Sequence, residues 1–287
     1  MGDHTLPREP PGSRTFKTRD REPPAMPTVT RDGVRLRYET AGSGPTVAFV
    51  NPAGYGAWCW SWLVEAVADP LKTLVWDLRG TGRSDAPPGP YDVATLANDL
   101  EAVLADHGAG DVHLVGAGLG GMVALDHALG GTRAGTLTLL GTAADGDVVD
   151  TDALTDLHAP TDDPGGLRAS LRTAFSDGVV DAHPDIVDRI VEWRREDDAD
   201  RDAFAAQVAA MTAYSATDLY ELTRPALVCH GRHDTVVPFE AGRALANDLP
   251  RGEFQPVEAG HLVAAEEPAA VEDALAAFLA DHTDVRL

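Results

Sequence analysis

The sequence predicts an α/β domain with a mostly parallel central sheet, helices on both faces and an inserted helical cap. Short apolar segments recur along the chain, and continuous apolar runs of this length are typical of strands buried on both faces. Helical patterns separate these segments, as expected where helical crossovers join parallel strands. Between 143 and 222 the apolar segments stop, and amphipathic patterns rich in acids replace them.

Each element follows from its own periodicity. The first predicted strand, 34–39, alternates polar and apolar residues with a period of two, as a half-buried strand does. The other strands are short apolar runs, predicted at 46–50, 73–76, 112–115, 136–140 and 226–229. Helical spacing predicts helices around 95–106, 121–129, 240–248 and 268–280.

These elements divide the chain into four parts. Residues 1–25 are charged and hold five prolines, so we expect them to be disordered, and either Met1 or Met26 to be the true start. We expect 26–142 and 223–287 to form the two parts of one α/β core. The segment 143–222 is interpreted as a cap rather than a separate helical domain, because strand patterns resume directly after it.

The charge of the chain is strongly negative. Its formal net charge is −23, with 32 Asp against 14 Glu and 2 Lys against 21 Arg. An excess of one sign keeps a protein soluble while destabilising the compact state, a property that halophiles use. We therefore interpret the chain as a protein of a salt-rich cytoplasm, with an acidic protein of a GC-rich genome as the alternative. Either origin argues against nucleic acid as a partner.

Location and cofactors are predicted from what the chain offers. Cys59 and Cys229 are the two cysteines, too few for a disulfide scaffold. The apolar stretch 114–125 is shorter than the roughly 18 residues of a membrane span, and no apolar signal region follows the first Met. We therefore expect a cytoplasmic protein without a membrane partner. No metal or cofactor is predicted, and the sequence leaves the oligomeric state open.

The most informative feature is a glycine at the place of a nucleophile. In the elbow motif G-x-S-x-G, a serine lies on a sharp turn between a strand and a helix. The segment 113–125 has this layout, but Gly118 stands between Gly116 and Gly120 where the serine would be. The covalent chemistry of such an elbow therefore lacks its attacking atom.

Four further motifs accompany the elbow in order along the chain. Asn51-Pro52-Ala53-Gly54 follows a predicted strand, and 77–85 reads D-x-R-G-x-G-x-S. Later come Gly231-Arg-His-Asp234 with Pro238, and Glu258-Ala-Gly260-His261. Over about residues 28 to 281 this set resembles the α/β-hydrolase superfamily, in particular its small-molecule esterases, lactonases and bromoperoxidase-like hydrolases.

The resemblance implies roles for five residues. His261 would be the general base and Asp234 the acid that orients it, while Gly118 occupies the nucleophile position. The amides of Ala53 and Leu119 would stabilise an oxyanion. Two functions stay open: a ligand-binding or otherwise non-hydrolytic protein, and an enzyme in which His261 acts on water or substrate without a covalent step.

Other interpretations of single residues carry less weight. Gly116-x-Gly118-x-x-Gly121 also fits a dinucleotide fingerprint, but the acid that should follow at the next strand arrives late, at Asp145. Ser84 is expected in a structural turn, and the two cysteines are expected to be buried. His230 and His233 beside Asp234 resemble a metal cluster that lacks a third ligand.

Overall fold

The computed structural model describes residues 27–68 and 71–284. The predicted disordered segment 1–25 and the alternative start at Met26 lie outside these residues. One sheet of eight strands forms the centre of the described chain. In chain order its strands are β1 (Thr28–Arg31), β2 (Val34–Ala41), β3 (Thr46–Val50), β4 (Lys72–Trp76), β5 (Val112–Ala117), β6 (Ala134–Leu140), β7 (Ala226–Gly231) and β8 (Gly252–Val257).

The sheet is parallel except at one end. Its strand order is β1-β2-β4-β3-β5-β6-β7-β8, and β2 runs antiparallel to both of its neighbours. Strands β3 and β7 are buried along their whole length, which agrees with their continuous apolar sequences. The predicted fold class is confirmed.

The helices cover both faces of the sheet. Helices α2 and α3 pack on each other, and α1 packs on α11. In chain order the helices are α1 (Ser61–Val67), α2 (Val93–His107), α3 (Leu119–Gly130), α4 (Thr151–Asp156), α5 (Pro164–Ala174), α6 (Val179–Ala182), α7 (Pro184–Asp197), α8 (Arg201–Thr212), α9 (Phe239–Asp248), α10 (Val263–Glu266) and α11 (Pro268–His282). No helix in this described set is both long and apolar enough to cross a membrane.

Five helices, α4 to α8, lie between β6 and β7 in the segment predicted as the cap. Their sequences explain their ends. Asp150, Asp163 and Asp200 each accept a hydrogen bond from a backbone N–H in the first turn of the helix that follows, as N-cap residues do. The aspartates that are frequent in this segment therefore also start three of its five helices.

The winding of the sheet places the site. Strand β4 lies on one side of β3 and β5 on the other, so the chain changes winding direction between β3 and β5. In open α/β sheets, the loops after two such strands separate and leave a crevice at their carboxyl ends. The loop 51–56 follows β3, and Gly118 follows β5. Both therefore lie at this crevice.

Candidate active site

The turn between β5 and α3 holds Gly118 in an unusual backbone conformation. Its φ is +50° and its ψ is −118°, a region that glycine enters without the cost paid by residues with a Cβ. The Gly118 N–H donates to the Leu140 carbonyl at 2.9 Å. Its own carbonyl accepts from Thr142 Oγ1 at 2.7 Å. The sharp turn of an elbow is therefore present, although no side chain projects from it.

Close packing explains why the neighbouring positions are glycines. A Cβ at Gly116 would lie 2.3 Å from the Gly120 carbonyl oxygen, and one at Gly120 would lie 2.0 Å from the Val50 carbonyl oxygen. A Cβ at Gly121 would lie 2.6 Å from the Thr142 side chain. The start of α3 thus approaches β3 and β5 too closely for side chains, and this accounts for the glycine spacing without a nucleotide.

The predicted acid and base are hydrogen-bonded. His261 Nδ1 lies 2.9 Å from Asp234 Oδ2 and 3.1 Å from Oδ1. Because Nδ1 faces a carboxylate, it carries the ring proton, and Nε2 keeps its lone pair. His261 is 3% exposed. The imidazole is thus held in the tautomer that a general base needs.

Asp234 is held in its ionised form. Its Oδ1 accepts from the backbone N–H groups of Val236 and Val237 at 2.8 and 2.9 Å. Burial alone would raise the pKa of this carboxyl, but the attraction of a protonated His261 and hydrogen bonds from His230 and His261 outweigh burial. Together they hold the pKa of Asp234 well below its ordinary value.

The base points at the missing side chain. An ideal Cβ built on Gly118 would lie 3.3 Å from His261 Nε2 and 3.5 Å from Pro52 Cβ. A serine hydroxyl at this position would be within the hydrogen-bond reach of about 2.6–3.2 Å that activates a nucleophile. The arrangement is therefore that of a catalytic triad without its nucleophilic side chain, formed by Gly118, Asp234 and His261.

The residues of the two predicted oxyanion amides adjoin this position, since Ala53 follows Pro52 and Leu119 follows Gly118. Leu119 is the first residue of α3, so its N–H has no acceptor within the helix. Across the described ranges, no protein acceptor is found for the N–H of Leu119 or of Ala53. Both residues are buried, at 0% and 3% exposure. Two buried amides without acceptors are what an oxyanion hole offers.

The cap holds the loop that carries Ala53. Gln207 of α8 accepts from the Gly54 N–H at 2.7 Å and donates to the Arg79 carbonyl at 2.9 Å. The Gly54 carbonyl accepts from the Ala199 N–H at 2.8 Å. The ring of Phe204 lies so close that a Cβ at Gly54 would be 2.5 Å from it. The cap therefore both fixes the loop 51–56 and covers it.

Most of the chain matches one known protein family. The model of the alpha/beta hydrolase family matches residues 47–274, most of the chain. The chain belongs to this family.

Individual relatives of this α/β hydrolase differ in how much of it they match. It is 26% identical to 3-oxoadipate enol-lactonase 2 of Acinetobacter baylyi over 260 residues, 88% of this chain and 96% of the relative. It is 33% identical to a putative carbamate hydrolase, RutD, of Azorhizobium caulinodans over 104 residues, but that match covers only 36% of this chain and 39% of the relative. The crystal structure of a hydrolase from Pseudomonas aeruginosa PA01 superimposes with a TM-score of 0.79 at 28% identity, covering 89% of this chain and 98% of that one.

The alternative nucleophiles of this α/β hydrolase are engaged or buried. Ser84 Oγ donates to the Asp77 carbonyl at 2.7 Å and accepts from the Arg37 N–H at 2.9 Å, so it stabilises a turn. Cys59 and Cys229 are buried. Burial raises the pKa of both thiols, that of Cys229 to about 12, so neither is a ready thiolate.

The residues of the metal and dinucleotide alternatives are also accounted for. His230 is buried and its Nε2 faces the Val237 carbonyl at 2.9 Å, whereas the His233 side chain is 52% exposed. The two imidazoles therefore do not converge, and the described part of the chain holds no group of three or more metal-ligating side chains. Asp145 caps a short helix by accepting from the Asp147 N–H at 2.9 Å.

The large side chains beside the site of the α/β hydrolase are buried. Trp58 and Trp60 are both buried and hydrogen-bonded, to Asp198 and to Asn51 respectively, at 2.8 Å. Two depressions of about 680 and 480 Å³ mark the described surface, and neither is lined by Gly118 or His261. His261 itself is 3% exposed, so the base has little contact with solvent.

Sequence reasoning missed three polar residues that hold the site. Gln207 and Asp198 tie the cap to the loop 51–56, since Asp198 Oδ1 accepts from the Gly56 N–H at 3.2 Å. Glu266 is bound to Gly260, directly before His261. Glu266 carries little signal in the sequence, because it follows the apolar run 262–265 and is itself followed by a second acid, Glu267, and acids in such places are mostly exposed.

Proposed function

We propose that this α/β hydrolase acts on a small carbonyl compound without a covalent intermediate, with His261 as general base and Asp234 as its orienting acid. The observation that carries the proposal is the direction of His261. Its Nε2 faces the side-chain position of Gly118, while Nδ1 is bound to an ionised Asp234. The lone pair of Nε2 faces a position where no protein hydroxyl stands. A histidine in this arrangement is suited to take a proton from water or from the substrate itself.

The proposed chemistry balances without a protein nucleophile. His261 Nε2 takes a proton from water at the position that a serine hydroxyl would occupy, and the resulting hydroxide attacks the carbonyl carbon. The amides of Ala53 and Leu119 donate to the oxygen that becomes negative. When the tetrahedral intermediate collapses, the protonated His261 returns its proton to the leaving group.

A second candidate, ligand binding without turnover, is favoured by the contacts between the cap and the site. Phe204 and Gln207 of the cap contact the loop that carries the amide of Ala53. In addition, removal of a triad nucleophile costs such enzymes most of their catalytic rate. In that case the same pocket holds a small molecule that stays unchanged.

The test is turnover of short p-nitrophenyl esters and lactones in molar salt by the wild type and by His261→Ala. We expect slow turnover that falls in the variant by about 10²–10⁴-fold, the usual contribution of a general base. His233→Ala is the matched control, because His233 lies near Asp234 but is exposed. Turnover that His261→Ala leaves unchanged would overturn the proposal. Saturable binding of a panel compound without turnover, kept in His261→Ala, would favour the second candidate.

A further inference from the structure

Glu266 is a buried acid that the proposed chemistry does not use. It lies at the end of α10 and is 1% exposed. Within 27–68 and 71–284, no Lys, Arg or His side chain forms an ion pair with it. A buried carboxyl group without a cation is costly unless hydrogen bonds replace its water.

Three donors replace that water, and they come from two separate parts of the chain. Oε2 accepts from the Gly260 N–H at 2.9 Å and from the Ser176 N–H at 3.0 Å. Oε1 is bound by the Ser176 hydroxyl. Gly260 precedes His261 in sequence, and Ser176 belongs to the cap, two residues after α5 ends. One carboxyl group therefore joins the loop of the base to the cap.

The loop of His261 is fixed on its other side as well. The Leu262 N–H donates to the carbonyl of Ala174, the last residue of α5, at 3.0 Å. Gly260 lies so close to this segment that a Cβ on it would be 2.7 Å from the carbonyl carbon of Phe175. Both neighbours of His261 in the chain are thus held against the end of α5, one of them through Glu266.

We propose that Glu266 is a positioning residue for His261, which it keeps over Gly118 by binding the Gly260 N–H and the cap segment at Ser176. The inference rests on the proposed function in that His261 is taken as the base. It adds a mechanical consequence: motion of the cap at Ser176 is transmitted to the loop of His261. A displacement of about 1 Å is enough to cost on the order of 10²-fold in rate.

The choice of variants follows from the donors. In Glu266→Gln, the side-chain carbonyl can still accept from the Gly260 and Ser176 N–H groups, and the new NH₂ group can donate to the Ser176 hydroxyl. Glu266→Leu removes every acceptor and leaves two buried N–H groups unpaired. We therefore expect the glutamine variant to preserve the position of His261 and the leucine variant to lose it.

The measurement is the downfield proton resonance of His261 Nδ1–H in the hydrogen bond to Asp234, assigned by its loss in His261→Ala. It needs no substrate, so failure of this inference and failure of the proposed function are distinguishable. We expect the resonance to stay in Glu266→Gln and to shift or broaden in Glu266→Leu. Asp99→Asn is the matched control, since Asp99 is also fully buried but is bound to Arg79 in another part of the core.

Two outcomes would overturn the inference. One is a folded Glu266→Leu protein whose resonance keeps its wild-type position and width. A merely structural residue would lower stability without moving the signal, and this is the behaviour expected of Asp99→Asn. The other outcome is rapid exchange of the Gly260 amide in the wild type, and it tests the inference even if the leucine variant does not fold. In the wild type, the Gly260 amide should exchange with solvent as slowly as the Gly118 amide, which is bonded to Leu140, and rapid exchange would show that Glu266 does not hold it.

Discussion

Gly118→Ser is the perturbation that most directly tests whether the site still has catalytic geometry. The new Cβ would lie 3.3 Å from His261 Nε2 and 3.5 Å from Pro52 Cβ. The first distance is short for a carbon contact, so His261 must yield by a few tenths of an ångström. We expect the hydroxyl to reach Nε2 and complete a triad with Asp234.

The cost of this change can be estimated from the backbone. Gly118 has φ +50° and ψ −118°, where a residue with a Cβ pays about 1–3 kcal/mol. We therefore expect Gly118→Ser to lower the free energy of unfolding by about 1–3 kcal/mol. Gly118→Ala is the matched control, because it carries the same strain and no hydroxyl.

Two assays follow the gain of function. Gly118→Ser should hydrolyse short p-nitrophenyl esters faster than the wild type, and a further His261→Ala change should abolish the gain. It should also be labelled stoichiometrically by a fluorophosphonate at residue 118, which requires an activated hydroxyl. The wild type and Gly118→Ala should stay unlabelled.

One result for Gly118→Ser would show that the catalytic geometry is lost. In this result, Gly118→Ser folds and loses as much stability as Gly118→Ala, but the serine variant does not hydrolyse esters and does not accept the label. The acid, base and amides would then be out of register. The proposal of His261 as general base would lose its main support with it. Stoichiometric labelling of the wild type near His261 would instead reveal a relocated nucleophile.

Two further predictions concern charge. Burial, with the charges of Asp77 and Glu196 nearby, raises the pKa of Asp197 to about 6. The native state then holds its proton more tightly than the unfolded state, so the stability that this proton contributes is present below about pH 4 and is lost as the pH rises through 6. At pH 8 we expect Asp197→Asn to raise the free energy of unfolding, measured by urea titration, by about 1–2 kcal/mol after allowance for partial exposure. This gain should vanish by pH 4. An equal gain at both pH values would contradict this origin. With a formal charge of −23, the melting temperature should rise between 0.1 and 1 M salt, where the screening length falls from about 10 to about 3 Å, and a flat or falling melting temperature would argue against a salt-adapted protein.

The sequence predicted the central strands well and the edges poorly. The run 46–50 coincides with β3, and 226–229 lies within β7, because strands buried on both faces need continuous apolar residues. Both edge strands, β1 and β8, were missed. Strand β8 reads Gly-Glu-Phe-Gln-Pro-Val and is half exposed, and an edge position tolerates its proline and its one charged residue.

The candidate site divides in the same way between what local sequence encodes and what only packing reveals. Asp234, His261 and Gly118 stand in local patterns of glycines that force sharp turns, and such patterns can be recognised along the chain. The contacts of Gln207 and Glu266 join residues 153 and 90 positions apart. No local pattern marks which acid or amide of a helix will meet a loop so distant in sequence, so these residues emerge only from the folded chain.

The distant contacts also bear on why the elbow keeps its shape without a nucleophile. Gly118 is fixed by Leu140 and Thr142, the loop of Ala53 by Gln207, and the loop of His261 by Glu266. Each of these bonds satisfies a buried backbone group, and breaking any one of them would leave that group unpaired at a cost of about 1–3 kcal/mol. Glycine at position 118 meanwhile removes the strain that a serine would add. Stability alone therefore maintains the arrangement of base and amides, so turnover by the wild type, lost in His261→Ala, is needed to show that the arrangement also serves catalysis.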